Sequence, residues 1–133
     1  MNSMLIPICI GKIHRATVTE ANLNYVGSIT VDEVLLKAAG IREFQQVTIT
    51  NLRNGMLWYT YAMAGPANGG GICLNGPPAH HFQPGDIIII LAYVQVESQE
   101  FPSMEPLVVF VDSNNKITSI DKHSELKKGL LST

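Results

Sequence analysis

Charge is scarce in this chain. Only 15% of its 133 residues are Asp, Glu, Lys or Arg, and nine basic against eleven acidic residues leave a formal net charge of −2. The two signs are scattered. That excludes a nucleic-acid or polyanion surface, which needs clustered Lys and Arg. The one basic pair, Lys127-Lys128, lies in a polar tail and reads as a solvated end. Cysteine is scarce too. Cys9 and Cys73 form no CxxC spacing and stand among apolar residues, as buried free thiols do. The four histidines show no ligand spacing with carboxylates, so no metal site is expected. Long hydrophobic runs are missing: nothing approaches the ~18–20 apolar residues of a membrane span. Residues 4–10 are apolar but lack the charged lead and small-residue cleavage site of a signal peptide. The expectation is a cytoplasmic protein that engages neither membrane nor nucleic acid.

What is present is a packed core in short pieces. The hydrophobic fraction is 46%, and the length predicts one domain that buries about two-thirds of its unfolded surface. Strands are predicted at 4–10, 12–19, 46–51, 56–64, 72–74 and 87–93, with a late hairpin of 107–111 and 116–120. The run 87–93 is apolar on both faces and reads as a strand buried on both sides. Asn54-Gly55 marks a hairpin, residues 68–71 form a glycine-rich link, and Asn75-Gly76-Pro77-Pro78 and Pro84-Gly85-Asp86 mark turns. One helix is predicted over 31–39. Thr30 is its N-cap, Glu33 completes a capping box, Asp32 favours the first turn, and Gly40 ends it. Ser28 then lies just before an electropositive helix start. The last dozen residues, about 121–133, are polar and expected to be mobile. Many short strands with one helix predict a mainly β fold, a small barrel.

One dipeptide carries chemistry beyond packing. In Tyr25-Val26-Gly27-Ser28-Ile29-Thr30, the Ser28 hydroxyl can attack the carbonyl of Gly27, which glycine leaves unhindered. Elimination of the resulting ester turns Ser28 into dehydroalanine, and hydrolysis of that leaves a pyruvoyl group. Alone, Gly-Ser is a common dipeptide and reads better as a turn before a helix. Its setting tips the balance. Residues 11–16 (Gly11-Lys12-Ile13-His14-Arg15-Ala16), residues 19–30, Ala38-Ala39-Gly40-Ile41, Asn54-Gly55, Thr60-Tyr61, Leu74-Asn75-Gly76 and Gly85-Asp86 follow in this order. Together they resemble the aspartate 1-decarboxylase family, the pyruvoyl enzymes that make β-alanine, over about residues 4–93.

The resemblance implies a double-psi β-barrel in a homotetramer with active sites between subunits. It implies self-cleavage of a proenzyme at Gly27-Ser28, giving chains 1–27 (β) and 28–133 (α), and leaves open whether a helper protein assists. Ser28 then carries the Schiff-base-forming pyruvoyl group, an electron sink like pyridoxal phosphate, for which no binding arrangement is seen. Tyr61 matches the proton donor, and Thr60 matches a threonine tied to cleavage. Lys12, Tyr25, Asn75 and Gly76 match substrate-site positions, and His14 a supporting one. The implied reaction is decarboxylation of L-aspartate to β-alanine and CO2, a supply step for pantothenate and coenzyme A.

One position departs from the pattern. Leu57 stands where the family carries a carboxylate-binding arginine. Leucine makes no charge-assisted hydrogen bond. Arg53 faces Met56, out of phase with position 57, if the turn has two residues. Three readings therefore stay open: aspartate decarboxylation with the carboxylate held by Lys12 or another subunit's basic residue, a pyruvoyl decarboxylase of a less acidic amino acid, or an inactive tetrameric barrel serving as scaffold or binding protein.

Overall fold

Side-chain alternation along the strands sorts this chain into an inner apolar layer and an outer mixed one. A computed structural model describes residues 4–122; Lys127-Lys128 and the tail beyond Lys122 lie outside the described residues. Nine strands, β1 (Leu5–Thr17), β2 (Glu20–Asn22), β3 (Ser28–Asp32), β4 (Gln46–Asn51), β5 (Leu57–Gly65), β6 (Ile72–Asn75), β7 (Ile87–Glu97), β8 (Leu107–Val111) and β9 (Ile117–Lys122), join in the order β2-β6-β3-β5-β4-β7-β1-β8-β9. One helix, α1 (Glu33–Ala39), and two 3-10 turns, Pro77–His80 and Phe101–Ser103, complete it. Pairing is parallel for β1/β8, β2/β6 and β3/β5 and antiparallel elsewhere. Ile13, Ile29, Val47, Ile49, Ala62, Leu74, Ile88, Ile90, Ala92 and Val109 alternate inward and are buried. The fold is mainly β and consistent with a small β-barrel. Among the described residues, no helix is long and apolar enough to cross a membrane.

Several expectations are corrected. The two predicted N-terminal strands are one, β1, with register shifts between Cys9 and Gly11 and between Ile13 and Ala16. Gly11 marks a close approach, not a break: a Cβ there would overlap the Ala39 carbonyl at the end of α1. The helix begins at Glu33 rather than 31, and its N-cap is Asp32, whose carboxylate accepts from Val34 N at 2.9 Å. Thr30 cannot cap, because β3 is paired on both sides, by β5 and β6, and the ladder claims its backbone. Gly40 ends the helix at φ 69°, as expected. β7 is not buried on both faces. Ile88, Ile90 and Ala92 are inside, whereas Leu91 is half-buried and Tyr93 is exposed on the outer face. β9 runs through Lys122, so the polar tail begins later than 121.

The Asn54-Gly55 hairpin forms, but with a four-residue loop, 52–55, closed by Asn51 N donating to Met56 O. That loop turns Arg53 away from β5. Its guanidinium grips Asp86, Nε to Oδ1 at 2.7 Å and Nη2 to Oδ2 at 3.0 Å. Asn51 Nδ2 and Gln83 N also donate to Oδ2, at 2.8 and 2.9 Å. The Arg53 hydrogen bonds, against an opposing burial effect, pull the Asp86 carboxyl down from its ordinary 3.8 to about 2. A depressed acid stabilises the fold above its ordinary pKa and loses that contribution as pH falls toward the folded value. Asp86→Asn should cost about 1–2 kcal/mol at neutral pH, since Arg53 remains half in solvent. Its thermal midpoint should converge on the wild-type midpoint at about pH 2. An unchanged gap at both pH values would assign the effect to shape rather than charge.

Candidate active site

Ser28 opens β3, between β6 and β5. It pairs with Asn75 across the antiparallel ladder, followed by Ile29 with Leu74 and Thr30 with Cys73. On the other side Ile29 pairs with Ala62. Ile29, Leu74 and Ala62 fill the core. Alternation therefore turns Ser28, Thr30, Cys73 and Asn75 outward, with Tyr61 one residue before Ala62 on the same face. Ser28 is nonetheless only 3% exposed. Asn75 Nδ2 donates to Ser28 Oγ at 3.0 Å and to Thr30 Oγ1 at 3.0 Å, and Cys73 Sγ donates to Asn75 Oδ1 at 3.2 Å.

The residue before Ser28 is held by backbone. Gly76 has φ 80°, and a Cβ on it would come within 2.9 Å of Gly27 Cα. Only glycine lets the 75–77 turn lie this close. Gly76 N also donates to Asn22 O at 2.8 Å, tying the turn to β2. Gly27 itself is under no such demand. A Cβ there would meet its nearest neighbours, Asn75 O and Pro77 Cδ, at an ordinary 3.9 Å. Tyr25 and Val26 just upstream are exposed.

Tyr61 stacks on Phe44, ring centroids 5.8 Å apart and 17° from parallel. Phe44 sits at φ 66°, unusual for a bulky residue, fixed by its N–H donating to Ala62 O at 2.7 Å. The other expected residues are more dispersed. Thr60 alternates inward opposite Tyr61 and pairs with Val47; among the described residues no hydrogen bond joins it to Gly27 or Ser28. Lys12 pairs with Leu91 and Val108 on the outer face, three strands and about 14 Å from Tyr59 along one row. Leu57 lies outward on β5, four residues and about 13 Å of strand from Tyr61. It lines a 460 Å³ cleft with Pro7, Gln46, Thr48, Tyr59, Leu91, Tyr93, Val94 and Gln95. His14 pairs with Phe110, its ring edge-on at 5.4 Å. Its Nδ1 is buried without a hydrogen-bond partner among the described residues, and burial, then the charges of Lys12 and Arg15, hold the ring below its ordinary pKa.

The helix start does not serve Ser28, since β3 separates them. The residues missed in the sequence are Cys73, Thr30 and Phe44. Period-2 spacing groups Ser28 with Thr30 and Cys73 with Asn75, but only pairing between β3 and β6 brings the two pairs together. Among the described residues, no group of three His, Cys, Asp or Glu side chains could hold a metal ion.

Fold and site define a small β protein with a glycine-preceded serine buried under an asparagine. The family model for aspartate decarboxylase matches residues 4–118, and the chain belongs to that family. Among its relatives, an aspartate 1-decarboxylase of Ruminiclostridium cellulolyticum is 50% identical over 92% of this chain and 98% of its own length. That of Caldicellulosiruptor saccharolyticus is 51% identical over 92% and 98%. That of Lactiplantibacillus plantarum is 48% identical over 96% and 97%.

Proposed function

We propose that this chain is a pyruvoyl-dependent decarboxylase that cleaves itself at Gly27-Ser28 and converts L-aspartate to β-alanine and CO2. The observation that carries the reading is the buried Ser28 hydroxyl, held by Asn75 directly after a glycine that packing does not require. What glycine gives there is an unhindered carbonyl. Family membership and the names of its relatives support the substrate.

The self-cleavage balances as follows. Ser28 Oγ bonds to the Gly27 carbonyl carbon, the Gly27–Ser28 C–N bond breaks, and the hydroxyl proton ends on the freed Ser28 amine. Loss of the Ser28 Cα proton then expels Gly27 as a carboxylate. Water replaces the nitrogen, which leaves as ammonia. The two products are chains 1–27 and 28–133. Residues around Ser28 fit this: Asn75 donates to Oγ, so the serine proton points elsewhere and is free to leave. When in place, the pyruvoyl group supplies a ketone for the substrate amine and an electron sink for the departing carboxylate. Tyr61 is the proton donor to the former α-carbon, and Phe44 fixes its ring.

The site is shared between copies in a homotetramer. Lys12 and Leu57 stand strands away from Ser28 in one chain, and the outer face carries exposed Leu57, Tyr59 and Tyr93 for another copy to cover. Lys12 supplies the cation for the substrate carboxylate, since Arg53 is engaged by Asp86. The place of action is the cytoplasm. The reading is tested by the mass of the denatured protein and by β-alanine released from aspartate. An uncleaved chain that releases none overturns it.

Leu57 sets how well aspartate is held. Leu57→Arg should raise kcat/KM for aspartate about tenfold, through a lower KM, because a guanidinium adds paired charge-assisted hydrogen bonds. A fall in kcat/KM would mean the apolar cleft at Leu57 is matched to a substrate less acidic than aspartate.

A further inference from the structure

We propose that Cys73 and Thr30 are positioning residues for self-cleavage, acting through the Asn75 carboxamide. This rests on the self-cleavage reading above. A carboxamide has two orientations that differ by a half-turn, and they do opposite things to Ser28. With Nδ2 toward Ser28, the serine oxygen accepts and its own proton is free to go to a base. With Oδ1 toward Ser28, the hydroxyl donates to the amide, and the proton that must leave is held by a group that cannot take it.

The structure shows the first orientation, with three groups holding it. Both Nδ2 hydrogens are engaged, one by Ser28 Oγ and one by Thr30 Oγ1, each at 3.0 Å. The oxygen takes the Cys73 thiol at 3.2 Å. Ser28 and Thr30 are hydroxyls and accept or donate equally well, so they do not choose the orientation themselves. The thiol does. Sulfur is a poor acceptor, and a thiol serves the amide best as a donor to oxygen. Burial, then the charge of Glu20, raises the Cys73 pKa, so the donor keeps its proton at neutral pH. Thr30 takes the second amide hydrogen, so Nδ2 is fully satisfied in the orientation the thiol sets. All four side chains come from β3 and β6 at paired positions, so the ladder itself sets their spacing.

The test follows precursor cleavage by intact mass in four variants. Cys73→Val and Thr30→Val remove a polar partner at nearly constant volume. Each should cleave about five- to tenfold slower than wild type. Thr30→Ser keeps the partner and should cleave within about twofold of wild type, whereas Cys73→Ser keeps a donor that also accepts, so its rate should fall between wild type and Cys73→Val. Thermal midpoints within about 4 °C of wild type establish that the fold is intact. The variants are made singly, so a misfolded one at either position leaves the other to decide. Wild-type cleavage rates in both Val variants overturn the proposal. So does equal slowing in Val and Ser variants, which would assign the effect to packing. A wild-type precursor that never cleaves overturns the self-cleavage reading and this one with it, whereas cleaving wild type with unaffected variants overturns this one alone.

Discussion

Ser28→Ala should leave the chain as one species of about 14.5 kDa, with neither the 1–27 nor the 28–133 fragment in the denatured mass spectrum. The substitution removes the atom that attacks Gly27 in the proposed self-cleavage, and little else. Ser28 is buried and makes its ladder contacts through backbone pairing with Asn75, which alanine preserves. The lost partner is one hydrogen of the Asn75 amide, worth about 1 kcal/mol, and Thr30 still engages the other. The variant should therefore fold and remain a precursor. On the proposed origin of the cofactor from Ser28, β-alanine release from aspartate should vanish with cleavage. Fragments meeting at residues 27 and 28 in this variant would sink self-processing, since no hydroxyl would then stand directly after Gly27.

Some of this was legible in residue order and some was not. Asn54-Gly55 and Gly40 demand positive φ, a local property, and both turned up where expected, at φ 71° and 69°. The helix start was misplaced because two local signals compete. Thr30 and Glu33 spell a capping box, but Asp32 is a rival cap, and the choice is made by β5 and β6 pairing on both sides of Thr30. The same long-range pairing hides the site. Ser28 and Asn75 are 47 residues apart, and no local pattern joins them. Cys73 read as a buried thiol because its only distinction is the strand it pairs with. Arg53 lies four residues from Leu57 in sequence, yet its partner, Asp86, lies 33 residues on in another turn. Thr60-Tyr61 is marked only by the resemblance, and the ladder turns Tyr61 to the Ser28 face and Thr60 to the opposite one.

That difference between Tyr61 and Thr60 gives the second large effect. Tyr61→Phe should leave precursor cleavage at the wild-type rate and lower kcat for aspartate decarboxylation by about 100- to 10,000-fold. The two chemistries separate because cleavage needs only groups around Gly27 and Ser28, whereas decarboxylation must end with a proton on carbon. Phenylalanine keeps the ring, so the stack on Phe44 at 5.8 Å survives and the fold should not register the change. KM should move little, since the hydroxyl acts on the transition state rather than on bound substrate. A kcat within about threefold of wild type would transfer proton delivery to another group. Loss of cleavage in Tyr61→Phe would instead show that Tyr61 belongs to the processing machinery. The role assigned to Phe44 would then change as well: it would be holding a residue needed before the cofactor exists.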